Sequence, residues 1–183
     1  MDISPQPSLT AQDRAFLRQA LDEARKCDPT PTAYCVGCLI VDTRTHKILA
    51  TGYSRELPGN THAEECALAK LAKREGESTN PGGKGESRNA GEEVEDQDSR
   101  LMGLDMYVTM EPCSERLSGN KPCTDRILES AGSIGRVVLG VREPDTFVKC
   151  VGVEKLLANG IVVVRNDDVE LEMECLEVAK RGH

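Results

Sequence analysis

The sequence predicts an α/β fold, with helices on both sides of a central, partly parallel sheet. Three observations point there. Val, Ile and Leu fall in short runs of strand length, such as YCVGCLIV, LDMYVTM, RVVLGV and IVVVR. These runs alternate with longer stretches of helical periodicity, the pattern of a three-layer α/β domain. The chain has 183 residues, 38% of them hydrophobic, which suits one globular domain able to bury its own core.

The elements follow in order. Ser8 to Lys26 places Leu9, Ala15, Phe16, Ala20, Leu21 and Ala24 at helical spacing, with Ser8 or Thr10 near the N-cap. Tyr34 to Val41 reads as a buried strand. Lys47 to Tyr53 reads as its hairpin partner across a turn at Asp42–His46. The Ala-rich stretch His62 to Arg74 reads as a helix. Glu75 to Arg100 is rich in Gly, Ser, Asn and acids, carries almost no apolar residue and reads as a flexible surface insertion in a single domain spanning 1–183. Leu104 to Met110 is a predicted strand, Cys123 to Ala131 a helix, and Arg136 to Val141 a strand. Val151 to Asn159 is a helix closed by Gly160, Ile161 to Arg165 a strand, and Asp168 to Lys180 the last helix.

Charge and composition narrow the function. The net charge is −8, and the 75–100 segment alone holds eight acids against three bases, a net −5. There is no basic patch for a phosphate backbone, no Trp and only five Tyr and Phe residues, so a nucleic-acid partner is disfavoured. No apolar stretch approaches the ~20 residues of a membrane span, and the N-terminus MDISPQPSLT lacks the features of a secretory signal. The eight cysteines therefore read as free thiols or ligands in a reducing compartment, the cytoplasm, with the nucleus as an alternative.

Two motifs carry chemistry. The stretch EPCSERLSGNKPC, 111–123, holds two Pro-Cys pairs ten residues apart, and His62-Ala63-Glu64 opens the predicted second helix. A catalytic zinc needs three protein ligands and one open position for water. His62 begins a helix, Cys113 ends a strand and Cys123 begins the next helix. Ligands at element ends converge on one point while the sheet holds them in place. A thiolate at Cys123 would be favoured by its helix N-terminus, and Pro122 fits beside the helix start. Glu64, two residues after His62, is placed to reach the open side of the metal as a proton shuttle. His46, in a turn, and His183, the last residue, read as solvated, which leaves His62 as the imidazole ligand. Cys35-Val-Gly-Cys38 offers a C-x-x-C, but residues three apart on a strand face opposite sides, so these read as buried core thiols. Cys27, Cys66, Cys150 and Cys175 have no ligand-like partners, and Glu65 reads as solvated or paired with a base.

HAE, then EPC, then a Pro-Cys before a helix resembles the cytidine-deaminase-like superfamily, over roughly Phe16 to Arg165. The resemblance implies a three-layer α/β/α fold with a central mixed five-stranded sheet, one zinc per chain on His62, Cys113 and Cys123, and Glu64 as acid and base. It also implies hydrolytic removal of an exocyclic amine from a ring carbon, by the chemistry of zinc deaminases. Most members have Pro-Cys-x-x-Cys, whereas nine residues separate the two cysteines here. That long spacer is similar to the deaminase branch of riboflavin biosynthesis. So is Gly140-Val-Arg-Glu-Pro-Asp145 followed by Gly152, Leu156-Leu157 and Gly160-Ile161-Val162-Val163. Glu143 stands where that branch has Asp, and Asp145 where it has Asn. With 183 residues there is no room for the reductase domain of the bacterial members, so the chain resembles the stand-alone fungal enzymes. These are implied to be homodimers that deaminate 2,5-diamino-6-ribitylamino-4(3H)-pyrimidinone 5′-phosphate at C2.

Substrate contacts are expected from Ser54 and Arg55 after the second strand, Asn60 before the HAE helix, Ser118, Asn120 and Lys121 on the Pro-Cys loop, and Glu143 and Asp145. Arg116 and Lys121 are the candidate phosphate partners. Three alternatives remain: a deaminase of another free base or nucleotide, a tRNA-editing deaminase, and a non-catalytic zinc module. The presence of Glu64 argues against the last.

Overall fold

The computed structural model describes residues 8–78, 103–130, 133–143 and 150–182. Among the described residues ten elements alternate much as the periodicity predicts: α1 (Ala11–Arg25), β1 (Gly37–Asp42), β2 (Ile48–Tyr53), α2 (Ala63–Ser78), β3 (Leu104–Met110), α3 (Cys123–Glu129), β4 (Ile134–Val141), α4 (Gly152–Ala158), β5 (Val162–Arg165) and α5 (Val169–Ala179). The helix expected to stop at Arg74 runs on to Ser78, so the first residues of the supposed insertion are helical; its remainder lies outside the described residues. The first strand begins at Gly37 rather than Tyr34, and Tyr34 to Val36 belong to the loop before it.

One mixed five-stranded sheet runs in the order β2-β1-β3-β4-β5. β1 is antiparallel to both β2 and β3, whereas β3, β4 and β5 are parallel. The parallel part follows from connection: α3 and α4 carry the chain back between successive strands. Side chains alternate across the pleat. Leu39, Tyr107, Val138 and Val164 pack on one face with Phe16, Leu17 and Leu21 of α1 and Leu171 and Cys175 of α5. Ile40, Met106, Val108, Leu139 and Val163 pack on the other with Ala67 of α2, Ile127 of α3 and Leu156 of α4. Cys35 lies in the first core and Cys38 in the second, both fully buried, which separates the C-x-x-C as expected.

Helix α1 starts at Thr10, whose hydroxyl accepts from the Asp13 N–H while the Asp13 carboxylate accepts from the Thr10 N–H. Asp13 then reaches into the sheet. Tyr107 donates its hydroxyl to Asp13 at 2.8 Å, and Arg136 bridges Asp13 at 2.7 Å and Asp105 at 2.5 Å. Burial alone would raise the Asp13 pKa, but hydrogen bonds from Arg136, Thr10 and Tyr107 outweigh it and hold the group down at about 2.

Two glycines let the functional helices approach the sheet. A Cβ on Gly52 of β2 would collide with the Ala63 carbonyl at the start of α2. One on Gly152 would collide with the Pro112 carbonyl, beside Cys113.

Candidate active site

The end of β3, the start of α2 and the loops before β1 and after β2, β3 and β4 line a cleft of 290 Å³. Clefts at the carboxyl ends of parallel strands are the usual binding places of α/β sheets. His62 precedes α2, and its carbonyl accepts the N–H of Cys66, so the helix fixes its backbone. Cys113 lies three residues beyond the end of β3, and Cys123 opens α3. The His62 Nδ1 lies 3.6 Å from the Cys113 Sγ and 3.3 Å from the Cys123 Sγ. All three donor atoms lie within 4.8 Å of one another. Glu64, 3% exposed, turns its Oε2 to within 3.4 Å of the Cys123 Sγ.

The backbone assigns unequal roles to the two sulfurs. The Cys123 N–H, at the start of α3, donates to the Cys113 Sγ at 3.4 Å, and the Thr124 N–H donates to the Cys113 carbonyl. The first two N–H groups of α3 thus both turn to Cys113, one to its sulfur and one to its carbonyl. Hydrogen bonding from Cys123 pulls the Cys113 thiol down to about 4 against burial, with help from His62. Cys123 is pushed up by its bond to Cys113, by burial and by Glu64. Burial opposes the His62 imidazolium, but Cys113 and Glu64 overcome it and raise the pKa. Glu64 is pushed up to about 7, chiefly by burial, with Cys113 adding to the shift and His62 opposing it.

The profile of the family described as cytidine and deoxycytidylate deaminase zinc-binding region matches residues 10–141. This chain belongs to the cytidine and deoxycytidylate deaminase family. The diaminohydroxyphosphoribosylamino-pyrimidine deaminase of Schizosaccharomyces pombe is 47% identical over 92% of this chain and 35% of its own length. The chain therefore spans about a third of that curated relative. Aspergillus oryzae Rib2 deaminase, solved in complex with DARIPP, is similar with a TM-score of 0.71 and 35% identity, covering 94% of this chain and 92% of that one. A Thermotoga maritima diaminohydroxyphosphoribosylaminopyrimidine deaminase/5-amino-6-(5-phosphoribosylamino)uracil reductase gives a TM-score of 0.67 at 28% identity, over 92% of this chain and 39% of that one. The mixed five-stranded sheet between helices is the cytidine-deaminase-like fold of these structures.

The donor set suits a family named for zinc. One imidazole and two thiols are preferred zinc donors, and tetrahedral zinc spaces such ligands by roughly 3.5 Å, close to the separations found here.

Ser54, Arg55, Asn60, Arg116, Ser118 and Glu143 all line the cleft. Several are already engaged. The Ser54 hydroxyl accepts from the Val36 N–H at 3.0 Å. Arg55, at φ 63°, donates to the Cys27 Sγ at 2.8 Å and to the carbonyls of Asp28 and Tyr34. Arg116 is almost wholly buried against Glu65 and donates to the Asn60 carbonyl. Ser118 accepts from the Asn120 N–H. Asn120 and Lys121 are not among the residues lining the cleft: Asn120 is exposed, and the Lys121 ammonium pairs with Glu129 at 2.5 Å. Asp145 lies outside the described residues.

Two supports escaped the sequence reading. Glu111, 4% exposed, accepts the Val153 N–H at 3.1 Å and so caps the start of α4. The Ser114 hydroxyl accepts the Val151 N–H at 3.2 Å. Their signal was present in the quoted EPCS, but capping across 37 and 42 residues leaves no local pattern.

Proposed function

We propose that this chain is a zinc-dependent hydrolytic deaminase of riboflavin biosynthesis. It would convert 2,5-diamino-6-ribitylamino-4(3H)-pyrimidinone 5′-phosphate to the 5-amino-6-ribitylamino-pyrimidinedione phosphate plus ammonia. The observation that carries this is the convergence of His62, Cys113 and Cys123, with the buried Glu64 carboxyl against Cys123, where His62, Glu64 and Cys113 line one cleft. The names of the S. pombe relative and of the Rib2 deaminase complex support the substrate class.

His62, Cys113 and Cys123 would hold one zinc per chain, and zinc so held supplies an activated water at its open position. In the overall change a C2–O bond forms from water and the C2–NH₂ bond breaks. Glu64 takes one water proton to the ring nitrogen and the second to the leaving amine, which departs as ammonia. A carboxyl near neutrality accepts and returns protons at little cost, and burial gives Glu64 that character.

The phosphate partner in this reading is Arg55. Among the described residues lining the cleft the guanidinium groups are those of Arg55 and Arg116. Arg116 is neutralised by Glu65. Arg55 instead meets a thiol and carbonyls, and the Cys27 thiol is pushed up to about 12 by burial, so it stays neutral. The same reading makes the protein a cytoplasmic homodimer. Incubation with the ribityl pyrimidine phosphate should release ammonia stoichiometrically. Release from cytidine, deoxycytidylate or guanine, and none from that compound, would move the chain to another deaminase branch.

A further inference from the structure

Glu65 follows Glu64 in sequence but is not among the residues lining the cleft. Its carboxylate sits between two guanidinium groups. Oε2 is 3.0 Å from Nη1 of Arg116, and Oε1 is 2.8 Å from Nη2 of Arg126. Glu65 lies in the first turn of α2, Arg116 on the loop between the two Pro-Cys pairs, and Arg126 on α3. The other Nη of Arg116 donates to the Asn60 carbonyl, two residues before His62. One carboxylate therefore joins the three segments that carry His62, Cys113 and Cys123.

We propose that Glu65 is a positioning residue, clamping through Arg116 and Arg126 the separate segments whose imidazole and two sulfurs bind zinc. The inference rests on reading those three residues as the zinc set. The clamp differs from an ordinary surface ion pair. The Arg116 side chain is only 3% exposed, so water and salt screen the pair weakly. Both carboxylate oxygens are used, each toward a different element, which fixes direction as well as distance. Three ligands on three segments need such support, because a loss of a few tenths of an ångström is felt at the metal. Outer partners of this kind typically govern metal affinity by 10- to 100-fold.

The test begins with zinc affinity of the wild-type chain, measured by competition with a chromophoric chelator. Wild type that binds no zinc would remove the zinc reading itself. Given wild-type binding, Glu65→Gln keeps the side-chain size and removes the charge. Its zinc affinity should fall about 10- to 100-fold. At saturating zinc kcat should still drop, because the imidazole and the two sulfurs lose the segment contacts that fix their spacing. Arg126→Met removes one arm and should lower affinity by a smaller factor in the same direction. Glu65→Asp keeps the charge and should recover part of the loss. A Glu65→Gln protein with zinc affinity and kcat within twofold of wild type would overturn the proposal, even if its metal-free form melted earlier. If Glu65→Gln fails to fold, Arg126→Met decides: unchanged affinity there overturns it equally.

Discussion

Replacing Glu64 by Gln separates the chemistry of the site from its assembly. Glu64 is 3% exposed and packs against the Cys123 sulfur, so Gln fills the same space. Zinc should remain bound. Turnover should fall by ~10²–10⁴, or about 3–5 kcal/mol in the barrier, because an amide cannot carry protons. The same burial has a measurable consequence without metal. Burial is the main cause that raises the Glu64 pKa from 4.5 to about 7 in the fold. Below pH 4.5 the group is protonated in folded and unfolded chains alike, and its burial changes nothing. Between 4.5 and about 7 the unfolded chain releases the proton and the folded chain keeps it, so stability falls as pH rises. Above about pH 7 the penalty is complete, at about 3 kcal/mol for this shift. Metal-free Glu64→Gln should therefore be more stable than metal-free wild type at pH 8, and the difference should vanish near pH 4. Denaturant titrations at both pH values with chelator present measure it, alongside ammonia release from the zinc-loaded protein. Turnover within tenfold of wild type would refute the proton-carrying role. Absence of any stability gain at pH 8 would refute the argument from burial.

Other expectations follow from the same geometry. Arg55→Met should raise KM for the phosphorylated substrate by roughly 10- to 100-fold, the loss of one charge-assisted contact, and leave the dephosphorylated compound unaffected; equal losses on both would show that Arg55 only braces the loop at Cys27 and Asp28. Arg136→Met strands Asp13 and Asp105 in the core and should cost ~3–5 kcal/mol in urea unfolding at pH 7. In wild type the depressed Asp13 contributes stability above its unfolded pKa of 3.8, lost as pH falls toward about 2, a limb of ~2 kcal/mol that Arg136→Met should flatten. Chelator treatment should abolish turnover and lower Tm, and restoring zinc should recover both.

The sequence by itself determined the order of elements, because period two and period 3.6 are local signals that each segment carries alone. It also marked His62, Glu64, Cys113 and Cys123, since three strong donors and a carboxylate in two short motifs have few other uses. The resemblance carried by those motifs named the mixed five-stranded sheet in advance. What each charged side chain faces was decided only in three dimensions. Asp13 looks like a polar position on an amphipathic helix, yet it ends 2.7 Å from Arg136, 123 residues away. Arg116 looks like a loop cation free for phosphate, but its guanidinium is buried against Glu65. The first N–H of the helix that Cys123 opens is spent on the sulfur of Cys113, ten residues earlier. Arginine and carboxylate side chains are long and reach in any direction, and the cost of burying their charge is met by whatever partner the packing brings near. That partner is set by how segments far apart in the chain come together, which a local pattern does not record.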